Sequence, residues 1–259
     1  MPATSAPAAK TALTWSIRAQ GDRCLSIDFG DAISVETGLI CLSAATALRQ
    51  ARLPGVTDVV PSYTAVAVHY ACLATDPDTA PAFERLSTEI GRLLDRGLPV
   101  AATSSREIEI PVCYGGEHGP DLAAIAAITG LSPAEVIALH TAPGSMVFML
   151  GFAPGHPYIG VHDVALNIPR RDIPRTAVPP GSVAIANRQT AIYPNRLPGG
   201  WHIIGATPLK LFDAQRSPPA LLMPGDRVRF VPISEQDFER HSAMPARKMQ
   251  SARTKRKSA

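Results

Sequence analysis

Hydrophobic and polar positions divide the chain into two unlike halves. The first begins with "ALTWSIRAQGDRCLSIDFG", which alternates on either side of Gly21–Asp22 and predicts a hairpin. Over residues 33–52, Leu39, Leu42, Ala45, Leu48 and Ala51 recur at helical spacing until Pro54–Gly55 stops them. "VTDVVPSYTAVAVHY" predicts two strands rich in Val, Thr and Tyr. Over 79–97, Phe83, Leu86, Ile90 and Leu93 mark one face of a second helix, with Gly97 after its end. "REIEIPV" at 106–112 reads as a further strand. This order predicts an α+β module of ferredoxin-like character over 13–112, with helices on one face of a sheet.

The second half is punctuated differently. Residues 113–144 form a helical connector: Asp121 can cap a short helix, and Ser132, Pro133 and Glu135 make a capping-box start for another that ends near His140. From 145 to 235, short apolar runs such as Val183–Ala186, His202–Ile204 and Val228–Pro232 alternate with Pro/Gly clusters, and no long amphipathic helix is visible. Many short strands with dense turns predict a compact β-barrel.

Composition refines this picture. In 259 residues, 46% hydrophobic and 18% charged is the balance of a globular protein. The net charge of +3 misleads, because six Lys/Arg and no acid follow His241, leaving −3 for residues 1–240. Residues 236–259 are therefore read as a basic, disordered tail and 1–12 as a disordered lead. The chain lacks a basic aromatic face for nucleic acid, and no run approaches the length of a membrane span. Cys24, Cys41, Cys72 and Cys113 lie far apart without a C-x-x-C pair and read as reduced thiols of a cytoplasmic protein. The histidines lack zinc-ligand spacing, so no metal site is expected.

Four segments of the second half carry candidate chemistry. "GFAPGHPYIG" (151–160) spends half its positions on Gly and Pro; it is either a tight crossover or a rigid binding wall holding Pro154, Gly155, His156 and Tyr158. "IPRRDIPRTAVPPGSVAIA" presents Arg170, Arg171 and Arg175 on a proline-stiffened backbone, with Asp172 the one nearby carboxylate. Guanidinium forks bind carboxylate or phosphate, but the same residues suit a surface patch paired with acids elsewhere. "RQTAIYPNRLPGGW" offers Gln189, Thr190 and Tyr193 as donors and acceptors, backbone N–H groups at Gly199 and Gly200, and Trp201 as a flat wall; a hairpin with a Pro-Gly-Gly tip is the plainer account. Pro224–Gly225–Asp226 in "LLMPGDRVRFVPI" reads as a structural turn before a closing strand. No nucleophile elbow, P-loop or carboxylate pair appears, so binding and electrostatic stabilisation are the expected roles. A small anionic ligand with polar edges suits these loops. His140 and His156 are the histidines near them, and packing or capping is the expected role of each.

The runs "YGGEHGPDL", "LGFAPGHPYIG", "PRRDIPRTAVPPGSVAIA", "QTAIYP", "LPGGWHIIGATPLKLFD" and "LLMPGDRVRFVPI", in this order, resemble the family of the bacterial 5-oxoprolinase B subunit, which includes the KipI kinase inhibitor and is also labelled allophanate hydrolase subunit 1. The likeness covers about 13–235. It implies a ferredoxin-like domain followed by a cyclophilin-like barrel, partner C and A subunits, and opening of 5-oxoproline to glutamate driven by ATP with Mg in the complex, with no activity expected of this chain alone. It gives Pro154, Gly155 and Tyr158 a place in a ligand groove. It also matches Arg170, Arg171 and Arg175 to an anion-holding motif and Gln189, Thr190 and Tyr193 to a Q-T-G-I-Y-P motif. Two other readings stay open: a KipI-like inhibitor of a sensor histidine kinase, and a component of a urea amidolyase-type amide hydrolase, though no biotin-attachment segment is seen. Where the family usually has Phe this chain has His118 and His156, and where it has Gly this chain has Asn187 and Ala191. Asn187 can keep a left-handed turn, whereas Ala191 requires negative φ or a shifted loop.

Overall fold

The computed structural model describes residues 13–71, 81–98, 106–243 and 254–256. The hairpin around Gly21 forms as β1 (Ser16–Ala19) and β2 (Cys24–Asp28). Helix α1 (Val35–Ala51) starts where the Ser34 hydroxyl accepts the Thr37 N–H and ends where Arg52 turns left-handed at φ 47°. Strands β3 (Val56–Pro61) and β4 (Ala65–Tyr70) and helix α2 (Ala82–Asp95) complete a sheet in the order β1-β2-β4-β3. β2 and β3 both run antiparallel to β4 between them, and α1 carries the chain from one to the other, a split β–α–β unit. Leu25, Ile27, Val59, Val66 and Val68 are buried against Ala44, Leu48, Leu86, Ile90 and Leu94 of the two helices.

The strand at 106–112 corrects the boundary drawn for this module. β5 (Arg106–Tyr114) does not join the N-terminal sheet; it runs parallel to β13 (Arg227–Pro232) and antiparallel to β12 (His202–Ala206). Its alternation shows that one face is buried but not against which sheet, and Ile108, Ile110 and Val112 belong to the barrel core. The connector follows as α3 (Leu122–Thr129) and α4 (Pro133–Thr141). At α4, the Ser132 hydroxyl and Glu135 carboxylate cap each other's backbone N–H, as the capping box requires. Asp121 does not cap α3 with its side chain; its carboxylate has stronger partners, described below.

The barrel closes through β6 (Met146–Leu150), β7 (Pro157–Gly160), β9 (Ser182–Ala186) and β10 (Gln189–Ile192), with the ring order β12-β9-β10-β7-β6-β13-β5 returning to β12. Closure leaves these seven strands without a free edge. Between β9 and β10, Asn187 and Arg188 hold φ of 50° and 62°, so Asn187 does keep the left-handed turn. Ala191 takes negative φ and is fully buried inside β10. A separate ribbon pairs β8 (Arg175–Val178) with β11 (Leu197–Gly199). The start of the segment read as a disordered tail is ordered: α5 (Glu235–Ser242) is capped by the Ser234 hydroxyl, and Phe238 lies 4.1 Å from the His118 ring. Farther along, β14 (Thr254–Arg256) pairs antiparallel with β5. Composition captured the charge of this stretch but not its caps. The expected lead at 1–12 lies outside the described residues.

The two modules meet at Phe148 of β6. The Tyr63 ring, on the β3–β4 turn, lies 4.9 Å from it, and a Cβ placed on Gly38 of α1 would collide with the Phe148 ring. Glycine at 38 thus allows the helix to lie against a barrel residue. Gly38→Ala should lower stability by about 1–3 kcal/mol despite the helical preference for Ala, because the collision is with a packed ring. Urea unfolding checks this, and adding Phe148→Leu should recover part of the loss.

Candidate functional site

Three constellations gather around the barrel, and the first is built on a buried carboxylate. Asp121, 6% exposed, accepts two hydrogen bonds from Arg175 at 2.8 Å, one from Arg171 at 3.2 Å and one from the Ile203 N–H at 2.7 Å. Its own N–H is donated to the Ile203 carbonyl. Burial works to raise this carboxyl's pKa, but the Arg175 and Ile203 bonds and the two guanidinium charges outweigh it and leave it below its usual value. Arg171 and Arg175 are therefore partners of Asp121. This carboxylate lies far from them in sequence, so the nearby Asp172 misdirects a reading of the motif.

The second constellation runs through the barrel wall. Thr190 of β10, fully buried, lies 2.9 Å from His140 Nε2 and 2.7 Å from His162 Nε2, and the Tyr114 hydroxyl lies 2.7 Å from His140 Nδ1. The two imidazoles stack at 5.0 Å, with Phe230 4.2 Å from His140. Burial lowers both pKa values, assisted at His140 by the neighbouring His162 and at His162 by Arg188; His162 is pushed down to about 4. Neutral rings suit a chain of hydrogen bonds in which the Thr190 hydroxyl gives to one imidazole and takes from the other. Thr190 and Gln189 are thus core groups of β10 rather than loop donors.

The third constellation is an aromatic cluster. His156 lies 5.0 Å from Tyr158, 5.1 Å from Tyr193 and 5.4 Å from Phe152; Tyr158 lies 5.9 Å from Trp201 and 6.3 Å from Tyr63. The Arg170 guanidinium stands 5.7 Å from the Trp201 ring centre, a cation–π distance, and its charge acts on Tyr63, Tyr158 and Tyr193. Arg170 forms no ion pair among the described residues. His156 is pushed down to about 4 by burial and is neutral at pH 7. Glycines shape the walls: Gly155, at φ 74°, leaves no room for a Cβ against Phe212, and the Tyr193 hydroxyl occupies the space a side chain on Gly199 would need.

The structure therefore brings His156, Tyr158 and Tyr193 together, with Arg170 over the neighbouring Trp201, Gly199 against the Tyr193 ring and Gly155 against Phe212. Pro154 lies on the exposed rim, in a shallow recess of 380 Å³ lined by residues 150–155. Gly200 serves the backbone, its carbonyl accepting the Arg171 N–H at 2.7 Å. The sequence reading missed Tyr63, which comes from the other module, and His162. The described residues hold no group of three or more His, Cys, Asp or Glu placed to bind a metal ion. Among the described residues no single helix is long and apolar enough to cross a membrane.

Known proteins share both the sequence and the fold. Residues 15–222 match the family described as carboxyltransferase domain, subdomain C and D. The chain is 40% identical over 228 residues to the 5-oxoprolinase B subunit of Bacillus subtilis (strain 168), covering 86% of this chain and 95% of that one. A longer crystallised protein, 39% identical, covers 82% of the chain with a TM-score of 0.68, and the chain spans 40% of it. The urea amidolyase of Kluyveromyces lactis, 17% identical, shares the fold over 88% of this chain with a TM-score of 0.67, and the chain spans 15% of it.

Two outcomes follow from this geometry. Asp121→Asn should cost about 3 kcal/mol, since two guanidiniums lose a buried counter-charge, whereas Arg170→Ala should stay within about 0.5 kcal/mol of the parent in urea unfolding. Acid should weaken the fold through the histidines. They are neutral when folded but bind protons near pH 6.5 when unfolded, so stability is complete above that pH and is lost as pH falls towards 4. Each unit of depression is worth about 1.4 kcal/mol. Calorimetric melting temperatures should be level above pH 7 and drop between pH 6.5 and 4; a level profile across that window would refute this account.

Proposed function

The chain belongs to the carboxyltransferase-domain family of subdomains C and D, and from that premise we propose that it is the B subunit of a 5-oxoprolinase complex. The observation that carries this reading is the 40% identity that runs along nearly the whole of the Bacillus subtilis protein. In this proposal, the chain works with the C and A subunits in the cytoplasm to open the lactam of 5-oxoproline to glutamate. ATP with Mg, bound at the level of the complex, drives the reaction. We also read the N-terminal sheet as ferredoxin-like, on the strength of its split β–α–β unit, and the barrel as cyclophilin-like.

The site suits a small acidic substrate. Arg170 is a cation without a carboxylate partner among the described residues, set beside flat aromatic walls. A carboxylate on that guanidinium and an apolar ring face on Trp201 would fix a substrate's orientation, and the packed rings would exclude water around it. Arg171 and Arg175, already bound to Asp121, serve as its frame.

Co-expression with the C and A subunits tests the proposal. The three chains should co-purify and release glutamate from 5-oxoproline only with ATP present. Arg170→Ala should lower turnover about tenfold to a hundredfold, the worth of a charged hydrogen bond of about 1.5–3 kcal/mol, at unchanged melting temperature. A stable three-chain assembly without this activity would defeat the proposal.

A further inference from the structure

Phe148 is 1% exposed, as buried as any core residue, yet it belongs to the core of neither module. The buried N-terminal core is drawn from residues 25–94 and the barrel's from residues 108–230, and among the described residues the two share no member. Each module is therefore a body with a core of its own. α1 and β3 meet the barrel at β6, and the contact is ring packing: Gly38 lies against the Phe148 ring, and Tyr63 lies against Phe148 and edge-on to Tyr158 at 6.3 Å. Tyr63 brings a liability to this seam. Its hydroxyl is enclosed and has no hydrogen-bond partner among the described residues. An enclosed, unpaired hydroxyl destabilises the docked arrangement, and water satisfies it once the seam opens. Phe at this position would keep the ring contacts without that cost.

Related structures differ at the scale of the whole chain. The longer protein, 39% identical, superposes with a TM-score of 0.68, and the Kluyveromyces lactis urea amidolyase, only 17% identical, reaches 0.67. A crystallised protein of Pyrococcus horikoshii, also 39% identical, covers 86% of this chain and all of its own length, yet its TM-score is 0.51. Identity does not order these values, so the difference lies in how the backbone is arranged and not in how far the sequences have drifted. We propose that the two modules part and rejoin along the Phe148 seam, so that the N-terminal module is a movable cover on the Tyr158 side of the aromatic cluster. Two bodies with separate cores, joined by a few rings, can change their mutual placement while each keeps its fold. Because Tyr63 is the residue that reaches from the β3–β4 turn to Tyr158, parting the modules removes it from the cluster and wets its hydroxyl in one movement. This goes beyond the reading of the chain as a B subunit and does not depend on it.

Electron-spin distance measurements on the full chain test this. With the native cysteines changed to Ala, nitroxide labels are placed on Thr88→Cys of α2 and on either Asn167→Cys or Arg227→Cys of the barrel module, all three positions being exposed. Two label pairs are read so that movement in either direction changes at least one distance. The parent should show a docked and a parted population. Tyr63→Phe should shift the ratio towards the docked one about fivefold or more, the worth of relieving an unpaired buried hydroxyl, with the melting temperature level or raised. Gly38→Ala, whose new Cβ collides with the Phe148 ring, should shift it towards the parted one. The inference is overturned if the parent and both variants all give one and the same distance for each pair, even where Gly38→Ala lowers the melting temperature, since the seam is then a fixed contact. It is also overturned if Tyr63→Phe favours the parted population. Should Gly38→Ala fail to fold, the parent and Tyr63→Phe decide the matter by the same criteria.

Discussion

The Asp121 carboxylate is the interaction on which the barrel end of the molecule depends. It sits at the start of α3, receives guanidiniums from the segment that enters β8, and takes the backbone N–H of Ile203 in β12. β12 is the strand that closes the barrel against β5. One buried charge therefore ties connector, ribbon and closure together. A carboxylate this buried persists in a fold when its charge is matched and its lone pairs are filled, and both conditions hold here. A side chain committed in this way cannot also cap α3, which explains why α3 starts without a side-chain cap while α4 has a complete capping box.

Charge is treated differently inside the barrel wall. There Tyr114, His140, Thr190 and His162 form a file of hydrogen bonds that needs no net charge, and burial holds both imidazoles neutral. Polar groups packed against Phe230 are tolerated because each finds a partner in the file. The contrast with His156 is informative. Its ring is caged by Tyr158, Tyr193 and Phe152 just as closely, but its Nδ1 has no such partner.

Local order was legible in the sequence where caps and periodicity act within a few residues. The hairpin at Gly21, the extent of α1 and the box at Ser132 all follow from neighbours in the chain. What depends on distant pairing was not legible. β5 has the alternation of any half-buried strand, and its pairing with β12 and β13, both far later in the chain, is what assigns it to the barrel. The same limit hid Tyr63, whose turn looks like any strand connection until Phe148 and Tyr158 are brought to it. Gln189 and Thr190 look like ligand groups as letters, yet they lie on a strand buried on both faces. The helix α5 was obscured by the charge of the residues beyond it.

The division among the three arginines has a simple geometric origin. The chain bends at Asp172–Ile173, between Arg171 and Arg175, the first residue of β8, and both guanidiniums reach the same carboxylate across that bend. Arg171 and Arg175 are four apart, and both reach Asp121; Arg170, one position before Arg171, lies instead over Trp201. The motif thus contains two roles at fixed spacing. Arg171 and Arg175 give their charge to the frame, and Arg170 lays its charge against the aromatic cluster. Because Arg171 also donates its backbone N–H to Gly200, next to Trp201, the frame sets the height of the wall over which Arg170 lies. Holding the segment through Asp121 is what allows a single exposed arginine to be presented in a defined place, so the structural clamp and the proposed binding group are two consequences of the same short run of sequence.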